Sequence, residues 1–194
     1  MEPHAEMVHW LFGAGLLLLG LIMLAQVLAG EEVWRQRPWR IYLWPGIVFA
    51  LGVLMWPVMA LYTNSAIHMV AHGTWAQALM AMGGAELGLA KGKLKSRWWK
   101  LAAPVGIAVS GLAFLAHEQN PWFFARAAFL HHLIGWTLLG ASLLLLGIAF
   151  RPQSVVLRTG FGLVVVAVAV MLFSDRDIAP IFGHLSVLAG PPHR

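Results

Sequence analysis

Long apolar stretches separated by short polar clusters are the dominant pattern of this chain. A helix that crosses a membrane needs about 20 mostly apolar residues, and six stretches are long enough. Their approximate bounds are 8–29, 41–62, 66–90, 99–117, 123–150 and 155–173. None of them alternates polar and apolar residues as the strands of a membrane barrel do. The pattern therefore predicts an all-α fold, a polytopic membrane helical bundle with six transmembrane helices in a single domain, 1–194.

The composition agrees with a protein that is embedded in a lipid bilayer. Hydrophobic residues make up 60% of the chain and charged residues 11%, and the mean hydropathy is +0.75. These values leave too little polar surface for a water-soluble domain. The first apolar stretch is too long for the core of a cleavable signal peptide, and acidic rather than basic residues precede it. We therefore expect this stretch to be a transmembrane helix.

Basic residues are concentrated in alternate connections between the apolar stretches. Ten of the 13 Lys and Arg residues lie in the connections 30–40, 91–100 and 151–158. The positive-inside rule places these connections in the cytoplasm. Both termini, including the tail 174–194, are then expected on the outer, periplasmic side of a bacterial inner membrane. The same asymmetry accounts for the sequence pI near 10.3 without nucleic acid as a partner.

The histidines are the residues with the greatest potential for chemistry, and the predicted topology places all of them near the outer side. They are His4, His9, His68, His72, His117, His131, His132, His184 and His193. At 1.5 Å per helical residue, His72 lies roughly 9 Å, and His131 and His132 roughly 8 to 13 Å, below the outer ends of their helices. Ionisable residues at such depths are rare and usually functional.

Several of these histidines have the spacing of metal ligands. His68 and His72 are four residues apart on one helix face, so both can bind the same cation. We expect His68, His72 and His132 to be the primary ligands of a metal site in the outer leaflet, with His117 or His131 completing it. Because His131 and His132 point about 100° apart, we expect only one of them to face the site.

The absence of cysteine limits the kind of site that the chain can form. Without thiols, disulfides and thiolate metal sites are excluded. Imidazole suits Cu(II), tolerates Cu(I) and also binds zinc. His4, His9 and His193 lie near the termini, and we interpret them only as hydrogen-bond donors to neighbouring carbonyl groups. The sequence contains no recognisable hydrolase or nucleotide-binding motif, so an enzyme is the less favoured class.

Short motifs resemble the histidine-rich membrane region of CopD-like copper-resistance proteins. They are HMVAH at 68–72, GGAE at 83–86, GLAFLAHE at 111–118 and HHLIG at 131–135. HMVAH and the NPW motif at 120–122 also resemble CtaG-like proteins, which help to assemble the copper centre of haem-copper oxidases. The resemblance implies a protein that handles copper for resistance, uptake or delivery. A periplasmic copper-binding protein or a respiratory complex would be its partner.

Two other functions remain open. In a b-type haem cytochrome, His68 or His72 would pair with His131 or His132 as axial ligands, and Arg126 would lie near a haem propionate. Such a protein would transfer electrons between quinone and a periplasmic carrier. In an accessory membrane subunit, the histidines would only form hydrogen bonds to neighbouring helices.

Overall fold

In a computed structural model, the chain is helical along most of the residues that the structure describes, which are 3–62, 66–116 and 125–175. Within these ranges there are seven α-helices and two short 3-10 helices. The α-helices are α1 (Pro3–Ala29), α2 (Glu31–Arg35), α3 (Leu43–Tyr62), α4 (Ala66–Ala90), α5 (Ala102–Ala116), α6 (Ala125–Phe150) and α7 (Val155–Ser174). The 3-10 helices are Pro38–Tyr42 and Arg97–Leu101. The predicted all-α class is confirmed.

Five helical segments of the described ranges are long and apolar enough to cross a membrane. They are Met7–Ala29, Pro38–Ala60, Arg97–Ala116, Ala128–Phe150 and Val155–Ser174. Helix α4 is 25 residues long but is not among these five segments, because polar residues interrupt its apolar sequence. The structure therefore has the apolar helices of a membrane protein, with five candidate spans where the sequence predicts six.

Local sequence signals set several helix boundaries. Ser154 precedes α7, and its side chain accepts a hydrogen bond from the backbone amide of Leu157 at 3.4 Å. This bond satisfies one of the free amide groups at the start of the helix. Gly30 separates α1 from α2 with a φ angle of +77°, a left-handed conformation that glycine adopts without steric cost. The chain can therefore turn sharply after α1.

The six long helices form a closed ring in the described part of the chain. Each contacts two neighbours in the cyclic order α1, α3, α4, α5, α6 and α7, and α7 packs against α1 to close the ring. Consecutive long helices run in opposite directions, so the start of α1 and the end of α7 lie at the same end of the ring. We call this the histidine end, because it contains His9 and His131. The opposite end, with Arg35 and Arg158, is the arginine end.

Two glycines allow α3 and α4 to pack closely. A Cβ atom on Gly83 of α4 would lie 2.6 Å from the backbone nitrogen of Phe49 on α3. A Cβ atom on Gly52 of α3 would lie 2.8 Å from the carbonyl oxygen of Ala76 on α4. Both positions therefore exclude larger side chains, as is common where membrane helices meet.

The centre of the ring is apolar. A narrow cavity of about 40 Å³ is lined by apolar and aromatic side chains from all six long helices. Between this cavity and the histidine end lie the buried side chains of Phe12, Ile134 and Leu172. The inward-facing residues recur at alternating spacings of three and four, which is the pattern of helices that pack along a shared axis. Apolar packing thus separates the polar groups at the two ends of the ring.

Candidate metal centre

Two imidazoles and one carboxylate meet at the histidine end. His9 lies on α1, His131 lies on α6, and Asp175 directly follows α7. Nδ1 of His9 is 3.4 Å from Oδ2 of Asp175, and Nε2 of His131 is 3.7 Å from the same oxygen. One nitrogen or oxygen atom from each residue lies within 4.8 Å of the other two. Three parts of the chain thus bring three potential ligand atoms together.

The distances in this cluster suit a small cation. They are longer than strong N–H···O hydrogen bonds, which measure about 2.7 to 3.2 Å. Transition metals bind imidazole nitrogen and carboxylate oxygen at about 2.0 to 2.2 Å. With bonds of about 2.1 Å, the two measured separations correspond to angles of roughly 110° and 125° at the metal, close to tetrahedral geometry. The spacing of Asp175 from each imidazole therefore suits two ligands of one ion, and the atoms of all three residues lie within 4.8 Å of one another.

The protein encloses these groups. Asp175 is fully buried, His131 is 3% exposed, and His9 is half-buried. A carboxylate that is removed from water is unfavourable unless hydrogen bonds or a positive charge compensate it. A cation held by the two imidazoles would place a positive charge beside the carboxylate. The three residues are therefore a candidate metal site.

Aromatic rings lie between this cluster and the central cavity. The ring of Phe114 on α5 stacks on the imidazole of His131, with centroids 5.6 Å apart. Trp75 of α4 meets Phe114 edge-on at 5.2 Å and lies 5.3 Å from the ring of Phe12 on α1. These contacts restrict the orientation of the His131 imidazole, which a metal ligand requires.

The structure distinguishes the two adjacent histidines of α6. His131 is buried inside the ring, whereas His132 is exposed on its outer surface. This difference follows from the 100° step between consecutive helical residues. Of the two histidines, His131 is the one that faces the ring interior. His132, which the sequence favours as a primary ligand, is exposed and is not part of the cluster.

His72 lies near the cluster but does not belong to it. Together with Trp75 and Phe114, it lines a small cavity of about 20 Å³. The Phe114 ring is the one that stacks on His131. Of the predicted ligands whose side chains the structure describes, His131 is therefore buried at the histidine end and His72 is partly exposed beside it.

For three other predicted site residues, the position of the side chain lies outside what the structure describes. The backbones of His68 and Arg126 belong to α4 and α6, but their side chains are not described. His117 lies between the described ranges 66–116 and 125–175. The expected roles of His68 and His117 as metal ligands, and of Arg126 beside a haem propionate, stay predictions.

Two residues of the cluster, His9 and Asp175, are not among the ligands that the sequence predicts. For His9 the sequence predicts only a hydrogen bond to a neighbouring carbonyl group, and for Asp175 it predicts no role. They lie beside His131 because α1 and α7 close the ring. A usable signal was their position along the chain: His9 lies near the start of one candidate span and Asp175 directly follows another. With helices of alternating direction, both positions fall on the same side of the membrane as His131.

The arginine end has a different polar arrangement. Nε of Arg35 donates a hydrogen bond to Oε1 of Glu31 at 2.6 Å, and Nη1 of Arg158 lies 3.2 Å from Oε2. Partial burial raises the pKa of Glu31, but the Arg35 hydrogen bond and the charges of Arg158 and Arg35 lower it more, so the pKa lies below its usual value.

Two cavities of about 350 and 340 Å³ open beside this ion pair. The residues lining both are Gln26, Glu31, Arg35, Trp44 and Glu86.

Comparisons of the chain with protein-family models, curated proteins and solved structures found no match. The function of the histidine end is therefore inferred from its own geometry and chemistry. That geometry comprises two imidazoles, one buried carboxylate and a surrounding layer of aromatic rings.

Proposed function

We propose that this protein is an integral membrane protein that binds copper at His9, His131 and Asp175 and handles it for resistance, uptake or delivery. The observation that supports the proposal is the convergence of three ligand atoms within 4.8 Å of one another around a fully buried carboxylate. The separations of 3.4 and 3.7 Å between imidazole nitrogen and carboxylate oxygen suit a shared ion better than direct hydrogen bonds.

Donor chemistry favours copper among the candidate ions. For a given set of nitrogen and oxygen ligands, Cu(II) has the highest affinity of the divalent first-row metals. A site without cysteine withstands an oxidising compartment such as the periplasm. The HMVAH and HHLIG motifs, which resemble copper-handling membrane proteins, point in the same direction. Zinc is the main competitor, because it accepts the same ligands.

The packing favours a small ion over a b-type haem. Axial ligation of haem iron requires free space for a flat macrocycle between the two imidazoles. Asp175 lies close to the ring nitrogens of both His9 and His131, and Phe114 stacks on His131. A haem held between His9 and His131 would have to displace these groups. A haem held by His68 or His72 with His131 or His132 is the alternative that the visible spectrum described below tests.

We further propose that α4 is the sixth transmembrane helix, since it packs between α3 and α5 in the ring. The connections rich in Lys and Arg belong to the arginine end, which the positive-inside rule assigns to the cytoplasm. The copper site then faces the periplasmic side of a bacterial inner membrane. A periplasmic copper-binding protein or a respiratory complex is the expected partner in copper exchange.

The two adjacent histidines of α6 provide the sharpest test. The protein is purified in detergent, loaded with Cu(II) and desalted, and its copper content is measured by mass spectrometry. We expect equimolar copper in the wild type and in His132→Ala, and a loss of most bound copper in His131→Ala. His132→Ala is the matched control, because it removes the same side chain from the exposed face of the same helical turn.

Three results would count against the proposal. Equal copper contents in the two variants would show that His131 is not a ligand. If a reduced-minus-oxidised visible spectrum of the wild type shows haem b bands, the protein is a b-type cytochrome and the copper proposal is wrong. A wild-type protein that binds neither metal nor haem would leave the histidines with a structural role in an accessory subunit.

A further inference from the structure

Helix α4 presents polar side chains on the outer surface of the ring. Val70, Thr74, Gln77 and Ala81 are exposed, and their spacing of three or four residues places them on one helix face. The opposite face, which includes the buried Trp75, points into the ring. The outward face of α4 therefore carries the amide of Gln77 and the hydroxyl of Thr74 beside the apolar Val70 and Ala81.

With α4 as the sixth transmembrane helix, as proposed above, Gln77 lies near the middle of the membrane-spanning layer. Its neighbour Ala76 packs against Gly52, which is near the middle of α3. Its other neighbour, Ala78, packs against Gly106, near the middle of the candidate span that contains α5. Both neighbouring helices thus place the Gln77 amide far from either membrane surface.

An amide at this depth requires a hydrogen-bond partner. Hydrocarbon offers none, so an unsatisfied amide is unfavourable there. Within residues 3–62, 66–116 and 125–175, the Gln77 side chain makes no hydrogen bond. Polar residues of this kind also explain why α4 is not among the five apolar spans. A partner for Gln77 must therefore come from outside the part of the chain that the structure describes.

A groove between α4 and α5 lies on the same surface. Its volume is about 550 Å³, and small side chains line much of it, namely Ala71 and Thr74 of α4 with Ala113 and Ala116 of α5. Leu112, which is 56% exposed, also borders it. Small residues allow a second membrane helix to approach closely. We call the groove together with Gln77 the α4–α5 face.

We propose that the α4–α5 face is the contact surface between two copies of this chain in the membrane. A primary amide contains both donor N–H groups and an acceptor oxygen, so two Gln77 side chains related by a two-fold axis satisfy each other. In such an interface each copy contributes the same residues, and the exposed Leu112 of one copy lies in the groove of the other. A second copy thus provides a hydrogen-bond partner for the Gln77 amide and a side chain that fills the groove.

Cysteine cross-linking tests this contact directly, because the chain has no native thiol. Thr74→Cys and Ala81→Cys place single thiols one helical turn to either side of Gln77. Leu163→Cys is the control, since Leu163 is 55% exposed near the middle of α7, across the ring from α4. After oxidation with a copper-free reagent in membranes, we expect disulfide-linked dimers from the two α4 variants and monomers from the control.

Gln77→Leu tests the hydrogen bond. Donor-labelled and acceptor-labelled chains are mixed in liposomes, and energy transfer is measured over a range of protein-to-lipid ratios. We expect Gln77→Leu to weaken self-association about tenfold, whereas Gln77→Asn, which keeps an amide, retains more of it. Leucine suits a lipid-facing position, so the variant is expected to fold, and a single symmetric peak in gel filtration checks this.

Two outcomes would overturn the proposal. If the α4 thiols cross-link no more than the Leu163→Cys control, or if Gln77→Leu associates like the wild type, the face contacts lipid. If the α4 thiols instead form an adduct whose mass differs from that of a dimer, the face belongs to a helix of another membrane protein.

Discussion

The two ends of the helix ring both bring a carboxylate close to basic side chains, but with different geometry. At the histidine end, Asp175 lies 3.4 and 3.7 Å from imidazole nitrogens. At the arginine end, Glu31 lies 2.6 and 3.2 Å from the nitrogens of Arg35 and Arg158. A guanidinium keeps its proton and has no free lone pair, whereas a neutral imidazole has one to share with a metal. The type and distance of the basic partner therefore distinguish a ligand set from an ion pair.

The surroundings of the two carboxylates differ as well. Asp175 is fully buried, and aromatic rings lie between it and the central cavity. Glu31 is 29% exposed and lies beside two cavities of about 350 and 340 Å³. Water in such cavities screens charges and weakens their interaction. We therefore expect substitutions at the histidine end to act on copper binding and those at the arginine end to act modestly on stability.

Asp175→Asn is the substitution from which we expect the largest effect, a loss of affinity for Cu(II). The amide keeps the size of the side chain but removes its charge and a ligand oxygen. Under the copper proposal, the affinity for Cu(II) falls by roughly a hundredfold or more, as measured by titration against a chelator of known affinity. Glu31→Gln makes the same chemical change at the arginine end and is expected to leave the affinity unchanged. If both variants lost a similar share of their Cu(II) affinity, the copper site could not be assigned to the histidine end.

Phe114→Ala has a smaller expected effect on the same site. Without the ring that stacks on His131, the imidazole loses part of its fixed orientation, so copper affinity decreases by roughly tenfold. The rate at which a chelator removes bound copper measures the change. Trp99→Ala is the control, because Trp99 is 46% exposed in the 3-10 helix Arg97–Leu101 at the arginine end. An unchanged rate in Phe114→Ala would show that the aromatic contact does not support the site.

Glu31→Gln has the smallest expected effect, a loss of about 0.5 to 1 kcal/mol in the free energy of unfolding at neutral pH. Because folding lowers the pKa of Glu31 from its usual value of 4.5, the ionised group stabilises the fold above that value. This contribution is lost as the pH falls through the pKa of the folded state. Thermal unfolding in detergent at neutral and acidic pH should therefore show less acid destabilisation in Glu31→Gln than in the wild type. If the melting temperatures of Glu31→Gln and the wild type fell equally between neutral and acidic pH, the ion pair would not stabilise the fold.

The long helices could be predicted because membrane-spanning length and apolarity are local properties of the sequence. Helix α4 is the instructive case: its polar residues include Glu86, which lines cavities at the arginine end, and Gln77, which faces outward. The apolar length of the stretch 66–90 predicts the helix. The assignment of its polar residues to an inner and an outer face depends on packing against α3 and α5.

The candidate site could be predicted only in part. The helical step indicates that one of His131 and His132 faces inward, but only the packing of α6 shows that it is His131. His9 and Asp175 join this site because the first and last long helices are neighbours in the ring. That contact joins residues at opposite ends of the chain, so no local pattern reveals it.

The closure of the ring by α1 and α7 also has a consequence for biosynthesis. Chains are synthesised from the N-terminus, so His9 leaves the ribosome first, His131 follows and Asp175 comes last. Until α7 has been inserted, a nascent chain offers two imidazoles without the carboxylate, and the ring is open along one side. Insertion of α7 therefore closes the ring and completes the cluster of His9, His131 and Asp175 in the same step. Under the copper proposal, the site can be loaded only after α7 has been inserted.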